Sequence, residues 1–384
     1  MLPPVLYDPG LEMPAADEEG VIRDILTQFH RIVSATHRDL GHAERGVHAK
    51  SHALLEGSLH VHRDLSAELA QGLFATPGTY PLVARLSAIP GDPLRDAVSG
   101  PRGLALKIDG VEGELLETAG GNAVQDFLFA NGTAFGAPTA YQFLQSLRLL
   151  ALTTDRAEGA KAALSRLLRR VQRVLARFGH RSAMLDALGG FLPTHPLGDR
   201  FHSQVPLRHG RHVAKYDIVP DSENFRRLSG ATIDIDRDPF AIRNAISRVM
   251  AAEGGRWSLR VQLCRDVEAQ PIENGAVEWS EAISPFQNVA TIELPPQTSW
   301  SRERARSLED ALCFSPWQGL EAHRPLGNIM RARRAAYPFS SGLRGRLNGC
   351  PVHGLFPKTI HKNGRSDQAQ RSEQAHDADS EAAG

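Results

Sequence analysis

Four strand-like runs crowd into residues 47–129, each closed off by Gly, Pro, Asn or Asp, and this limits the architecture more than any other feature of the chain. They are the stretch 47–61, which alternates or carries β-branched residues, then 80–87, 103–108 and 125–129. So many strands in so short a span predict half of an antiparallel barrel or sandwich. Strand patterns resume at 213–219, 257–263 and 289–294, with a helix over about 238–252 between the first two. Before them, Val21, Ile22, Ile25, Leu26, Phe29, Ile32 and Val33 recur at three- and four-residue steps and predict an amphipathic helix over 17–37. Residues 138–178 change period and read as two helices, the second with a basic face (Arg166, Arg169, Arg170, Arg173, Arg177) expected to be solvated, because no aromatic residues interleave it. The block 301–347 reads as largely helical, and the polar tail beyond Asn363 as disordered.

A chain of 384 residues can hold one large core with appendages, or two domains. Its 44 basic and 44 acidic residues balance, so no global field points to nucleic acid or to an anionic membrane. Cys264, Cys313 and Cys350 form no CxxC pair, which argues against a zinc or iron–sulfur site and against a disulfide framework. The first residues lack the basic and apolar regions of a signal peptide, and no run approaches the roughly 20 apolar residues of a spanning helix. A cytoplasmic protein without stable membrane insertion is expected. Residues 1–16 are proline-rich and predict an arm laid over the surface or over a partner subunit.

Near the C-terminus, Arg333-Arg334-Ala335-Ala336-Tyr337-Pro338 closes a good helix-forming run, and Pro338 is expected to put Tyr337 near the helix end. Arg333 sits one turn before Tyr337, where its charge favours the phenolate. A phenol has a pKa of about 10, so a nearby cation is what a tyrosinate ligand of ferric iron needs. Far upstream lies Arg45-Gly46-Val47-His48-Ala49-Lys50, and further segments follow: Val83-Ala84-Arg85-Leu86-Ser87, Pro101-Arg102-Gly103-Leu104-Ala105-Leu106-Lys107, Gly121-Asn122 with Phe127 and Phe135, Phe201 to Tyr216, and Leu312-x-Phe314-x-Pro316.

In this order, from about residue 40 to 347, these motifs resemble the catalase superfamily, and most the small catalase-related haem peroxidases. The resemblance implies an α+β fold, a catalase-like antiparallel β-barrel with surrounding helices, and haem b between the barrel and the C-terminal tyrosine helix. It implies Tyr337 as iron ligand, Arg333 as its charge partner, His48 as distal acid–base group oriented by Ser87, and Asn122 as distal polar partner. Arg45, Arg85 and Arg344 become propionate anchors, with Arg346 a competitor for the last, and Val47, Phe127 and Phe135 line the haem. Residues 1–39 are then an arm and helix, 40–347 the haem domain with a helical insertion at about 138–190, and 348–384 an extension.

The implied activity is that of a haem-dependent peroxidase or catalase-like oxidoreductase that heterolyses hydrogen peroxide or organic hydroperoxides through an oxoferryl intermediate. An organic electron donor and a homo-oligomer fit the same resemblance. One alternative is a fatty-acid hydroperoxide isomerase, dehydratase or lyase of the allene oxide synthase type, although those relatives carry threonine where this chain has Val47. Another is a non-catalytic haem-binding protein, and a third is a non-haem metal barrel using His48, His52, His60 and His62. Gly100 stands where the family has an acidic residue, which implies an altered entrance channel. Gly46 replaces a larger residue and implies room for an organic substrate. After Asn122 the chain departs from the family's Asn-Thr-Pro. Cys350-Pro351-Val352-His353 reads as a loop, and Trp257, Trp279, Trp300 and Trp317 as core.

Overall fold

Among the described residues, nine strands form one antiparallel sheet: β1 (Ser51–Val61), β2 (Thr79–Ala88), β3 (Arg102–Asp109), β4 (Val124–Ala130), β5 (Phe201–His202), β6 (Leu207–His209), β7 (His212–Pro220), β8 (Gly255–Leu263) and β9 (Gln287–Leu294). This computed structural model describes residues 2–153, 158–177 and 189–349, with Val352 and Phe356. Strand order is β5-β4-β3-β2-β1-β9-β8-β7-β6. Two residues close the barrel: Phe201 and His202 pair with Ile218 and Asp217 of β7, and His202 also pairs with Ala130 of β4. Eight strands thus make a ring, and β6 lies beside β7 as a short flap. Closure removes the edges that an open sheet of this size would leave unpaired.

The predicted strands match the observed ones to within a few residues, except that 47–50 precede β1. The barrel interior is filled by Phe74, Phe127, Tyr216, His209 and His323. Outside it lie α1 (Glu18–Leu40), α2 (Ala140–Thr153), α3 (Glu158–Arg177), α4 (Ala241–Ala252) and α5 (Asn328–Asn348). Helix α1 buries Ile25, Phe29, Ile32 and Val33, carries Glu18 and Glu19 at its positive end and His37 and Arg38 at its negative end, and stops at Gly41 in the left-handed conformation. It packs on both α2 and α5.

The block 301–347 is largely helical, as expected, although between the π-helical turn Ala305–Glu309 and α5 the chain is mostly turns. Two expectations are corrected here. Helix α5 does not end at Tyr337 but runs through Pro338 to Asn348. The polar, not the apolar, side of α3 faces the body of the protein, with Ser165, Arg169 and Gln172 buried. The N-terminal arm lies on the chain's own barrel, where Val5 bonds with Cys264 and Val213, and Tyr7 with Arg211. Trp257, Trp279 and Trp317 are buried, whereas Trp300 is half-buried under the Arg243 guanidinium at 3.6 Å. The readings of residues beyond 363 and of Cys350–His353, Val352 apart, lie outside the described residues.

Candidate active site

His48 enters the site from the connection between α1 and β1, where His48 N donates to Ile89 O at 2.7 Å and Ala49 N to Pro90 O at 3.0 Å. Its φ of 57° is one of two positive values among the described non-glycine residues. Such backbone costs energy and persists only where the surroundings impose it. The ring can approach β3 this closely because residue 103 is glycine: a Cβ there would stand 2.4 Å from His48 Cε1 and 2.5 Å from Nδ1. Nδ1 lies 3.1 Å from Ser87 Oγ, which fixes the ring plane, although the hydroxyl can either donate or accept. Burial first, then the charges of Arg85, Arg333 and Arg45, lower the His48 pKa to about 3. The imidazole is therefore neutral throughout the physiological range.

Tyr337 reaches the same cavity from α5. The start of that helix is held by Arg331, whose guanidinium meets Glu12 at 2.9 Å, Glu18 at 2.6 Å and Glu273 at 2.8 Å. Burial raises the Tyr337 pKa and the Arg333 charge only partly opposes it. Arg333 favours the phenolate, as expected, but by itself leaves a phenol; a phenolate needs a further cation at the oxygen. The Arg333 guanidinium lies over the Phe135 ring at 5.2 Å, and Phe135 packs on Phe143 at 5.4 Å.

His48, Ser87, Val47, Arg45, Arg85, Phe135, Arg333 and Tyr337 line one cavity of about 1160 Å³, counted to its open mouth. Its walls are otherwise largely apolar, with Ile25, Phe29, Leu104, Leu128 and Phe143 among them. A smaller space of about 460 Å³ shares Arg45, Val47 and Tyr337 with it and adds Arg344. Arg344, two turns after Tyr337, is buried at 2% exposure while Arg346 is exposed, which decides between these two candidates for the cluster.

Two of the three arginines, Arg85 and Arg45, meet a carboxylate that the sequence reading missed. Glu309 accepts from Arg85 Nε at 2.5 Å and lies 3.8 Å from Arg45 Nη1. Burial would raise its pKa, but the Arg85 and Arg45 charges override that and hold it low. Arg45 also donates to the carbonyls of Glu309 and Leu312, and Arg344 to those of Asp310 and Leu312. Burial and the neighbouring Arg85 and Arg344 charges push the Arg45 pKa well down. The turn Ala305–Glu309 is what delivers Glu309, and no local pattern announces it.

Two proposed residues are not at the cavity. Asn122 lies in a turn before β4, beyond the Val124–Asp109 pair, whereas the His48 end of the same strand pair is Ala130 with Gly103. That separation is roughly 20 Å along the strand. Asn131, at the correct end, is tied to the rim: its Oδ1 accepts from Arg102 N at 2.7 Å and its Nδ2 donates to Asp199 at 2.9 Å. Phe127 points into the barrel, 5.1 Å from the Tyr216 ring, and β4 gives the cavity Leu128, Phe129 and Ala130 instead. Gln204 does line the cavity, with φ of 63°, and its Nε2 donates to Gly132 O and Ala134 O.

The two departures also look different in three dimensions. A Cβ on Gly46 would meet Phe29 Cδ1 at 2.4 Å, so the missing side chain makes room for Phe29 rather than for a substrate. Gly100 lines a separate small pocket with His52 and Arg102. His60 is engaged by Ser58, Thr79 and Glu293, and His62 by Thr291. Among the described residues no group of three or more His, Cys, Asp or Glu side chains converges as a metal site.

No family model and no curated protein matches the chain. Solved structures do. A fungal catalase is similar with a TM-score of 0.55 at 15% identity, covering 83% of this chain and 65% of the other. Catalase A from Saccharomyces cerevisiae is similar at 0.54 and 15% identity, covering 93% and 72%. A bacterial catalase is similar at 0.53 and 15% identity, covering 91% and 66%. The chain thus spans about two thirds of the length of these proteins, just under it for two of them. An eight-stranded antiparallel ring flanked by helices, aligned over most of its length with three catalases, gives this chain the catalase-like α+β fold.

Proposed function

We propose that the protein is a haem-dependent peroxidase or catalase-like oxidoreductase acting on hydrogen peroxide or organic hydroperoxides. The observation that carries this reading is the convergence of a neutral imidazole and a phenol on one cavity. The residues suit haem b: Tyr337 offers an oxygen donor for ferric iron, and Arg45, Arg85 and Arg344 outnumber Glu309 and can meet acidic substituents. The largely apolar walls suit the face of a porphyrin. When bound, haem supplies the redox equivalents for cleavage of the peroxide O–O bond.

The chain's own part is proton handling. A neutral His48 can take a proton from one peroxide oxygen and return it to the departing one. Ser87 and the seat beside Gly103 hold the ring for both transfers. Asn122 is too remote to share this work, and the Gln204 amide N–H groups are directed at backbone carbonyls. The apolar lining also suits a hydrophobic hydroperoxide, which keeps an isomerase or lyase of the allene oxide synthase type as the second reading.

The test is a visible spectrum followed by parallel turnover of hydrogen peroxide, cumene hydroperoxide and a polyunsaturated lipid hydroperoxide. Tyr337→Phe is expected to weaken haem retention or change the spin state. His48→Ala is expected to keep the pigment and lose roughly 100-fold or more in the peroxide reaction. An epoxide or aldehyde formed without a consumed donor would select the second reading. Protein that stays colourless with ample iron and refuses hemin would end both.

A further inference from the structure

Helix α3 is built inside out. Its buried side is polar: Ser165 and Arg169 are 1% exposed, and Gln172 is 0% exposed. Its outward side carries Leu164, Leu167, Val171 and Val174, which are 52%, 57%, 42% and 51% exposed. These four follow the three- and four-residue step that keeps one helix face, so they form a continuous stripe. A surface helix of a globular protein normally points such a stripe at the core.

The orientation is anchored. Arg169 Nη1 donates to Ala97 O at 2.7 Å and to Ser165 Oγ at 2.8 Å, and its Nη2 pairs with Asp236 at 2.7 Å. Ser165 Oγ donates in turn to Gly189 O at 2.6 Å and accepts from Ser99 N at 3.0 Å. Turning the leucines inward would break the four of these bonds that leave the helix and strip the buried Ser99 N of its acceptor. The exposed stripe is therefore a fixed property of the folded chain.

Charge identifies what covers it. Arg170, Arg173 and Arg177 are exposed and run along one flank of the stripe, and Glu158 is the single acidic residue of the helix against six basic ones. Two copies of α3 laid stripe to stripe would give the arginine flank no acidic counterpart, and laid antiparallel they would bring two such flanks together. An anionic phospholipid surface offers what both features need: acyl chains for the leucines and valines, and phosphates for the guanidiniums. We propose that α3 is a docking helix that lies flat on an anionic lipid bilayer and holds the protein there reversibly. Among the described residues no helix is long and apolar enough to cross a membrane, so the attachment is to the surface. This proposal does not depend on the cofactor reading.

The full chain is sedimented with phosphatidylcholine vesicles, with and without phosphatidylglycerol, at low and high salt, and its mass in solution is measured by light scattering. Binding is expected to be at least roughly ten-fold stronger on the phosphatidylglycerol vesicles and to weaken with salt. The triple variant Leu164→Gln, Leu167→Gln, Val171→Gln should lose it, with an unchanged circular dichroism spectrum because these side chains are exposed. Arg170→Gln, Arg173→Gln, Arg177→Gln should remove the salt dependence. Failure of the wild type to prefer anionic vesicles, or full binding by the leucine variant, would overturn the proposal. So would a wild-type oligomer that ignores vesicles and falls apart in the leucine variant, which would assign the stripe to a second copy of the chain.

Discussion

The seat of His48 depends on one absent methyl group. Gly103 pairs with Ser87 across β2 and β3, so the residue that orients the imidazole and the residue that makes room for it face each other in register. Gly103→Ala would drive a Cβ to 2.4 Å from the ring, and a ring held by backbone hydrogen bonds on its own segment cannot simply move aside. The variant is expected to lose about 1–3 kcal/mol of stability and, if haem binds, to keep its Soret band while peroxide reactivity falls at least roughly ten-fold. Unchanged stopped-flow kinetics would show that the ring needs no such seat. This part of the site was legible in the sequence, because Arg45–Lys50, Arg85–Ser87 and Pro101–Lys107 are short segments whose residues act near where they are written. Asn122 was misplaced for the converse reason. The connection between β3 and β4, including the 3-10 turn Glu117–Ala119, sets Asn122 before the start of β4, so that spacing counted from Gly121 does not measure distance from His48. Glu309 could not be read at all, since its partners lie 224 and 264 residues away.

At the scale of the element, α5 shows tertiary packing overriding a local stop signal. Pro338 cannot donate to Arg334 O and would ordinarily end or kink the helix, at a cost of about 3 kcal/mol relative to alanine. The helix continues because its last turns are held from outside: Leu343 packs with Val33 and Ala43, and the Asn348 amide accepts from Ala43 N at 2.7 Å and donates to Ala43 O at 3.0 Å. That continuation is what carries Arg344 into the arginine cluster two turns past Tyr337. Pro338→Ala is expected to raise stability by about 1–3 kcal/mol, read as a higher urea midpoint, with no change in the visible spectrum of hemin-loaded protein. A loss of stability would mean that the missing N–H suits the native helix. The strands were legible because Gly, Pro, Asn and Asp bound them. Closure of the barrel was not, since it rests on the two residues Phe201 and His202, too short to carry any periodicity.

For the whole molecule, the barrel interior is held by a chain of hydrogen bonds that runs in one direction. Leu73 N donates to His323 Nε2 at 2.9 Å, so His323 carries its proton on Nδ1 and gives it to Tyr216 Oη at 3.0 Å. His209 Nε2 donates to Leu69 O at 2.9 Å, so its Nδ1 accepts from the Tyr216 hydroxyl at 2.9 Å. Both imidazoles are neutral in this arrangement, and burial, the largest cause, lowers the His209 pKa to about 3 and that of His323 to about 4. With His48, whose ring faces the cavity, three histidines stay unprotonated in the folded chain while the unfolded chain protonates them near pH 6.5. The unfolded state then binds more protons at every pH between those values, so stability is greatest above pH 6.5 and falls as the pH drops toward 4. At pH 5 each site can cost up to about 2 kcal/mol, a large share of an ordinary folding free energy of about 5–15 kcal/mol. Urea midpoints measured from pH 7.5 to 5 should therefore decline steeply. Tyr216→Phe should lower the whole curve by about 2–5 kcal/mol, by leaving a donor on His323 and an acceptor on His209 unmet, yet keep its slope, because burial rather than the hydroxyl depresses the two histidines. A flat profile in the wild type would mean that water or protons reach these rings in the folded state, and the one-way chain would be wrong.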